Sequence, residues 1–386
     1  MTNEERYIDF LIKRCISLKK SKSVFISYYT YNEDFIQKLV NRLTNLGAKD
    51  IYLECIDPFY EHDLLKKMSI DEIKGSKYFD CSIYNKYARK RASFIFFVSP
   101  TPGLFNDVDD EKLAIVSKIK SETKKYFINA ETSYKIPWTI VPLYNKYWED
   151  DLGINNLEEV IYDICKIDSN YLTNWDEQIS LTKRVSDKLN HLNIDYLEYT
   201  NELGTNLKVG LPDKYEYEAV GDTEVIVNLP SYEVFTSPHR LRVDGIVYNS
   251  KPLFYNGGVV DDFYLRFANG KVVEYDAKKG KTILDSIINY DEGSCFLGEA
   301  ALVEVDSPIS KTNVIFKTTL LDENASCHLA LGRGFGNGMK SSLIKRGINQ
   351  SGIHVDFMIG TNKTNIVAVT KDNKHIPIME NGKFVI

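Results

Sequence analysis

The chain has 386 residues, with 54 acidic side chains against 48 basic ones and a formal net charge of −6. That length makes two domains of ordinary size, and 43% hydrophobic residues are enough for sizeable cores. The acidic balance excludes the broad basic face of a nucleic-acid binder. The basic runs Lys13-Arg14, Lys19-Lys20 and residues 86–91 are short and read as solvated helix faces. Residues 1–20 are charged throughout, so no signal peptide is expected, and no apolar run reaches the ~20 residues of a membrane span. The six cysteines include no C-x-x-C pair and are expected as reduced thiols in a cytoplasm. Cys295 and Cys327 read as small buried hydrophobes.

Residues 4–20 carry Tyr7, Phe10, Leu11, Cys15 and Leu18 on one helical face. A strand follows over 24–29. An amphipathic helix over 33–46 then points Phe35, Leu39, Leu43 and Leu46 inward, and a second strand covers 50–55. This β-α-β unit predicts parallel strands joined by a right-handed crossover. Next come a helix over 78–90, a strand over 92–98 ended by Pro100 and Pro102, a long charged helix over 109–129 and a strand over 138–143. The alternation predicts an α/β domain with a mostly parallel sheet. Its first strand-to-helix turn, Tyr28-Tyr29-Thr30-Tyr31-Asn32-Glu33, has no glycine, so it is neither a dinucleotide fingerprint nor a phosphate loop. The domain is expected to be structural or a wall of the substrate cavity.

Helices over 156–166 and 172–192 read as a connector, with Trp175 as a packing anchor. From Tyr196 the rhythm changes to short strands broken by Gly204-Thr205-Asn206-Leu207, Tyr255-Asn256-Gly257-Gly258, Asn269-Gly270 and Asn381-Gly382, which are hairpin signals. Strands are expected over 263–267, 271–275 and 366–371, with helices over 282–289 and 294–301. The expected organisation is an α/β N-terminal domain over 1–165, a helical connector over 166–192 and a β-rich α+β domain carrying the site over 193–386.

The chemistry concentrates late in the chain. His354-Val355-Asp356 reads as a strand, and residues two apart on a strand share a face, so the imidazole and the carboxylate can reach one metal ion. His328, in the strand-like run 325–331, is open between a hydrogen-bonded core histidine and a ligand. Glu299 follows a glycine on an expected helix among Leu297, Ala300, Ala301 and Leu302. It either faces water or, if buried, needs a partner such as a metal, because an isolated buried carboxylate is very costly. Glu233, between Pro230 and Pro238, poses the same choice. Asp322 and Glu323 read as turn or capping residues before ligands. The run 332–338, with glycine at every second position, lacks the Gly-Lys-Ser/Thr of a phosphate loop and reads as a flexible loop beside the site. His239 is a possible substrate contact; His62, His191 and His375 show no ligand spacing.

Residues 171–386 resemble the thermophilic metalloaminopeptidases, the family of aminopeptidases T, S and II. The resemblance is carried in order by Gly204-Thr205-Asn206-Leu207, Asn228-Leu229-Pro230, Glu233-Val234-Phe235-Thr236-Ser237-Pro238, Leu297-Gly298-Glu299, Asp322-Glu323-Asn324-Ala325, His328-Leu329-Ala330-Leu331-Gly332 and His354-Val355-Asp356. It implies a cytoplasmic, usually homodimeric peptidase that cleaves the first bond of peptides with a free N-terminus. It also implies two divalent ions held by Glu233, Glu299, His328, His354 and Asp356 and activating a water; zinc, cobalt and manganese all suit such donors. From their chemistry, Glu299 and the pair Asp322-Glu323 are the candidates for carrying a proton to the leaving amine, and Arg333 is open between oxyanion support and a loop charge. The chain departs from the family twice. Tyr232 replaces the first of two successive glutamates, and Phe335, seven residues after His328, replaces a tyrosine and so has no hydroxyl to donate. Two other readings use the same residues: a hydrolase of a non-peptide amide, and a metal-binding homologue with impaired catalysis, to which Phe335 points.

Overall fold

A computed structural model describes residues 1–18, 22–255, 257–336 and 340–386. Lys19, Lys20, Asn256, Asn337, Gly338 and Met339, on which one basic run, one hairpin turn and the end of the glycine-rich run rest, lie outside the described residues. Backbone proximity divides the chain into two units, Met1–Trp175 with Thr223–Pro230 and Asp176–Asp222 with Ser231–Ile386.

The first unit is built on strands β1 (Ser23–Tyr29), β2 (Asp50–Ile56), β3 (Ser93–Val98) and β4 (Trp138–Pro142), all parallel in the order β2-β1-β3-β4. Phe25 and Phe94 are fully buried at its centre, with Tyr84, Tyr87 and Phe127 around them. Several helices differ from expectation for local reasons. The first ends at Cys15, because Ile16 is extended and Ser17 exchanges two hydrogen bonds of 3.1 Å with the Ser93 hydroxyl. Leu46, expected inward, is 50% exposed, since the helix Glu33–Asn45 has ended and Gly47 turns the chain at φ +90°. The helix expected over 78–90 starts only at Ser82, whose N–H is taken by the Asp80 carboxylate at 2.6 Å. The long helix expected over 109–129 is two, Asp110–Thr123 and Lys125–Thr132, because the Thr123 carbonyl accepts from the Asn85 amide at 2.7 Å. Helices Pro58–Lys67, Ile70–Gly75 and Lys146–Leu152 were not foreseen. Trp175 is fully buried and donates its indole N–H to the Cys165 carbonyl at 2.8 Å.

The second unit continues with β5 (Ile194–Thr200), β6 (Asn206–Gly210), β7 (Glu218–Ala219), β8 (Val234–Thr236), β9 (Val243–Tyr248), β10 (Leu253–Tyr255), β11 (Gly258–Ala268), β12 (Lys271–Lys279), β13 (Leu297–Leu302), β14 (His328–Gly332), β15 (His354–Met358), β16 (Asn365–Thr370), β17 (His375–Glu380) and β18 (Lys383–Phe384). One sheet runs β10-β11-β9-β6-β5-β16-β17-β18, with β12 also on β11; a second runs β15-β14-β13-β8-β7. All these pairings are antiparallel. Asn269-Gly270 and Asn381-Gly382 have positive φ at both residues, the backbone that tight hairpins need. One apolar core takes Leu197, Val209 and Leu265 from the large sheet and Leu302, Leu329 and Phe357 from the small one. The segment expected as a helix over 294–301 is instead mostly strand β13, and it carries Glu299.

Candidate metal centre

The centre lies on the face of the small sheet that turns away from this core. Leu329 and Leu331 of β14 belong to the core, so His328, Ala330 and Gly332 face the other way. On one side, β15 sets Asp356 opposite Ala330 and His354 opposite Gly332. Residues directly opposite in an antiparallel pair share a face, so both halves of the His-x-Asp motif join His328. On the other side, β13 sets Glu299 opposite Ala330 and Ala301 opposite His328. Next, β8 sets Phe235 opposite Ala301, and Glu233 precedes it by two residues on the same face. Ala330 thus stands between Glu299 and Asp356.

Glu299 reaches this face through a bulge. Leu297 pairs with Leu331 on the core side, and in an unbroken strand Glu299 would share that side. The register shifts between Leu297 and Glu299, and the extra residue, Gly298, turns the carboxylate over. A Cβ at position 298 would stand 2.3 Å from the Arg333 carbonyl oxygen, so only glycine fits.

The five groups converge. His328 Nε2 is 3.2 Å from Glu233 Oε2 and 3.6 Å from Glu299 Oε1. His354 Nε2 is 3.3 Å from Glu299 Oε2 and 3.1 Å from Asp356 Oδ1. Two three-residue donor groups result, Glu233–Glu299–His328 and Glu299–His354–Asp356, each with its donor atoms within 4.8 Å of one another. They share Glu299, one oxygen to each side. The other ring nitrogen of each imidazole faces a backbone carbonyl, Nδ1 of His328 that of Ser326 at 3.3 Å and Nδ1 of His354 that of Arg333 at 2.6 Å. A carbonyl only accepts, so the proton sits on Nδ1 and the Nε2 lone pair of the neutral ring is left for a ligand.

Burial makes the cluster expensive without a cation. Glu233 and Glu299 are each 5% exposed and His328 1%. Burial opposes charging His328, yet its hydrogen bonds to Glu233 and Glu299 hold its pKa well above the ordinary value. His354 is raised in the same way, burial being outweighed by Asp356 and Glu299. Burial also pushes Glu299 up, but two imidazoles outweigh it and bring its carboxyl down to about 2. Glu233 has one imidazole, and there burial wins and raises it. Two neutral imidazoles and three buried carboxylates are donors that suit divalent ions such as zinc, cobalt or manganese, and a cation would replace the imidazole protons as the neutralising charge.

The remaining expected residues separate. The buried carboxyl of Glu323 is held well above its usual range by burial and by the charges of Asp356 and Glu233, which places it beside the cluster but outside both donor groups. Asp322 ties a loop: it accepts from the backbone N–H of Phe316 at 2.8 Å and of Thr318 at 3.1 Å, and burial pushes it up to about 7. Tyr232 is buried, with its N–H on the Asn324 side-chain oxygen at 2.7 Å. Arg333 contributes its carbonyl to His354. The Phe335 ring lies 4.7 Å from the His354 ring and 6.3 Å from that of Phe235. Gly332 and Gly334 serve close packing: a Cβ would stand 2.3 Å from the Ile353 carbonyl oxygen at the first and 2.7 Å from the Ile348 side chain at the second. His239 Nδ1 accepts from the Leu241 N–H at 3.2 Å and stands outside both donor groups. The sequence reading missed Ser326, Ser237 and Asn349, which hold the histidines or the loop beside them. Ser237 and Asn349 are buried and bond backbone atoms of the 332–335 segment.

Comparison with known proteins finds relatives along nearly the whole chain. The family description thermophilic metalloprotease (M29) matches residues 2–384. Aminopeptidase AmpS of Bacillus subtilis (strain 168) is 32% identical over 402 aligned residues, covering 98% of this chain and 97% of that protein. Aminopeptidase 2 of Geobacillus stearothermophilus is 31% identical over 415, with coverage of 98% and 97%. The solved structure of wild-type AmpT from Thermus thermophilus matches with a TM-score of 0.89 at 28% identity, covering 100% of this chain and 99% of that one.

Proposed function

The chain belongs to the thermophilic metalloprotease (M29) family, and on that premise we propose that it removes the N-terminal residue from peptides with a free amino group, using two divalent ions. Family membership together with its relatives makes it a metalloaminopeptidase. The observation that carries the two-ion reading is the division of Glu299, whose two oxygens serve two separate donor groups.

Glu233 and His328 would hold one ion, His354 and Asp356 the other, and Glu299 both. When bound, such ions supply Lewis-acid activation of water and of the scissile carbonyl. The chain's own residues do the rest. The Arg333 carbonyl keeps the proton of His354 on Nδ1. Glu323, whose carboxyl is buried beside the cluster and raised by burial and by Asp356, is the residue we place in proton transfer to the leaving amine. Phe335 closes the His354 side with an apolar ring. The proposal extends, on the family resemblance, to a cytoplasmic homodimer and, on the sequence pattern, to domains over 1–165 and 193–386 joined by a helical connector over 166–192.

The test is hydrolysis of paired free and N-acetylated di- and tripeptides by protein stripped of metal and reloaded with zinc, cobalt or manganese. Release of the first residue from free-amine peptides only, and only after reloading, is the expected result. Equal cleavage of the acetylated series would remove the aminopeptidase reading, and activity in the stripped protein would remove the metal.

A further inference from the structure

The segment after β14 touches His354 twice. The Arg333 carbonyl accepts from Nδ1 at 2.6 Å, and the Phe335 ring packs edge-on at 4.7 Å. Two buried side chains fix that segment. The Ser237 hydroxyl, on a residue 8% exposed, accepts from the Phe335 N–H at 2.8 Å and donates to the Phe335 carbonyl at 3.0 Å. The Asn349 side chain, fully buried, donates to the Gly332 carbonyl at 2.6 Å and the Gly293 carbonyl at 2.7 Å, and the backbone carbonyl of Asn349 accepts from the Gly334 N–H at 3.0 Å. His328 is held differently: its Nδ1 meets the carbonyl of Ser326, two residues before it, at the longer distance of 3.3 Å.

The pair of hydrogen bonds made by the Ser237 hydroxyl is more than burial requires. One hydrogen bond would satisfy a buried hydroxyl; bonding both the N–H and the C=O of a single residue fixes the two peptide planes that flank it. Those planes set where the Phe335 ring lies against the His354 ring, while the Arg333 carbonyl belongs to the preceding plane, which the Asn349 backbone holds through the Gly334 N–H. Both features bear on the rotation and tautomer of one imidazole. Ser237 comes directly after β8, whose register with β13 runs to Thr236 opposite Ala300, so the same sheet that carries Glu299 also carries this anchor.

We propose that Ser237 is a positioning residue for the His354 half of the centre: its hydroxyl holds the peptide planes on either side of Phe335, whose ring packs on His354, and thereby tunes the ion bound by Glu299, His354 and Asp356 without tuning the other. This rests on the two-ion reading given above. Loss of the hydroxyl leaves two backbone groups of residue 335 without their partner, and disturbing the partners that orient a ligating histidine costs roughly 10- to 100-fold in metal affinity. Ser237 acts one step further out, so about tenfold is expected.

The experiment is zinc titration of metal-stripped full-length protein in competition with a chromogenic chelator, resolving two equivalents. Ser237→Ala is expected to weaken one equivalent about tenfold and leave the other as in the wild type. Ser237→Thr, which keeps the hydroxyl, is expected to restore it. His354→Ala is expected to lose the same equivalent, and adding Ser237→Ala to it to change nothing in the one that remains. If Ser237→Ala does not fold, Ser237→Gly carries the same test. Wild-type affinity for both equivalents, equal weakening of both, or a further loss in the His354→Ala background would overturn the positioning role. If the wild-type protein takes up only one equivalent, the two-ion reading itself fails, whatever Ser237→Ala does; if His354→Ala and Glu299→Gln both keep two, the ligand assignment fails.

Discussion

The parallel sheet of the first unit and the small antiparallel sheet of the second bury their faces by opposite means. Around Phe25 the first unit packs rings on rings, with Tyr52, Tyr84, Tyr87 and Phe94 at centroid distances of 4.6 to 5.6 Å. Apolar area and ring geometry hold that face, with charges only at its rim, where the Tyr84 and Tyr87 hydroxyls bond the Glu54 and Asp50 carboxylates. The small sheet has one face of that kind, with Leu302, Leu329 and Phe357 in the core. Its other face buries Glu233, Glu299, Asp356 and His328 and keeps His354 nearly covered. There, stability depends on each charge having a counter-charge, and the removal of one member is felt by all. Mutations on the aromatic face are therefore felt by the rings they touch, and those on the charged face by every charge in the cluster.

The sharpest way to break this contrast is Glu299→Gln. It removes the group shared by both halves, so hydrolysis is expected to fall by roughly 10³-fold or more, and zinc analysis should show loss of both equivalents rather than one. Retention of one tight equivalent would mean the halves are independent. Next, Phe94→Ala in the parallel sheet is expected to cost about 3–5 kcal/mol, read as an earlier denaturation transition, while zinc affinity stays unchanged. A matching loss of zinc affinity would mean that the aromatic face also supports the centre. Third, zinc uptake by stripped protein at pH 7 is expected to release protons, roughly two. His328 and His354 are both raised well above the ordinary value before metal arrives and must give up protons to bind it. Calorimetry in buffers of different ionisation heat counts them, and a count of zero would mean that the imidazoles are already neutral.

The smallest effect concerns Asp322, buried outside the donor groups. Its carboxyl rises from the usual 3.8 to about 7 on folding. An acid raised in the folded state favours folding below its unfolded pKa and loses that contribution as pH climbs through the folded value. Stability should therefore decline between about pH 4 and 7 by an amount that Asp322→Asn removes, as seen in melting temperatures across that range. Equal pH dependence in the two proteins would assign the decline to the centre instead.

How much of this was legible in the sequence follows from the same contrast. The parallel unit was readable because its strands are continuous apolar runs with helices between them. Its missed helices announced themselves only by caps, Asp57 before Pro58 and the Ser69–Glu72 capping box. The His-x-Asp pair was readable because strand periodicity is local. Glu299 was placed on a helix because Leu, Glu and Ala are good helix formers and because the bulge at Gly298 breaks the alternation that marks a strand. The joining of residues 233, 299, 328 and 354 rests on pairing between distant strands, which no local pattern encodes. Ser237 and Asn349 act on backbone atoms, and the identity of those partners is invisible until the chain is folded.

Ala330 shows what kind of control such a face exerts. It offers no donor atom, yet it is the side chain that stands between Glu299 and Asp356 on the sheet. Its methyl group sets the depth of the floor on which the charged groups rest. Any branched residue there would raise that floor and push the carboxylates apart without touching their chemistry. The centre is thus gauged by room as well as by charge, and the position that says least electrically fixes how much space its neighbours have to share.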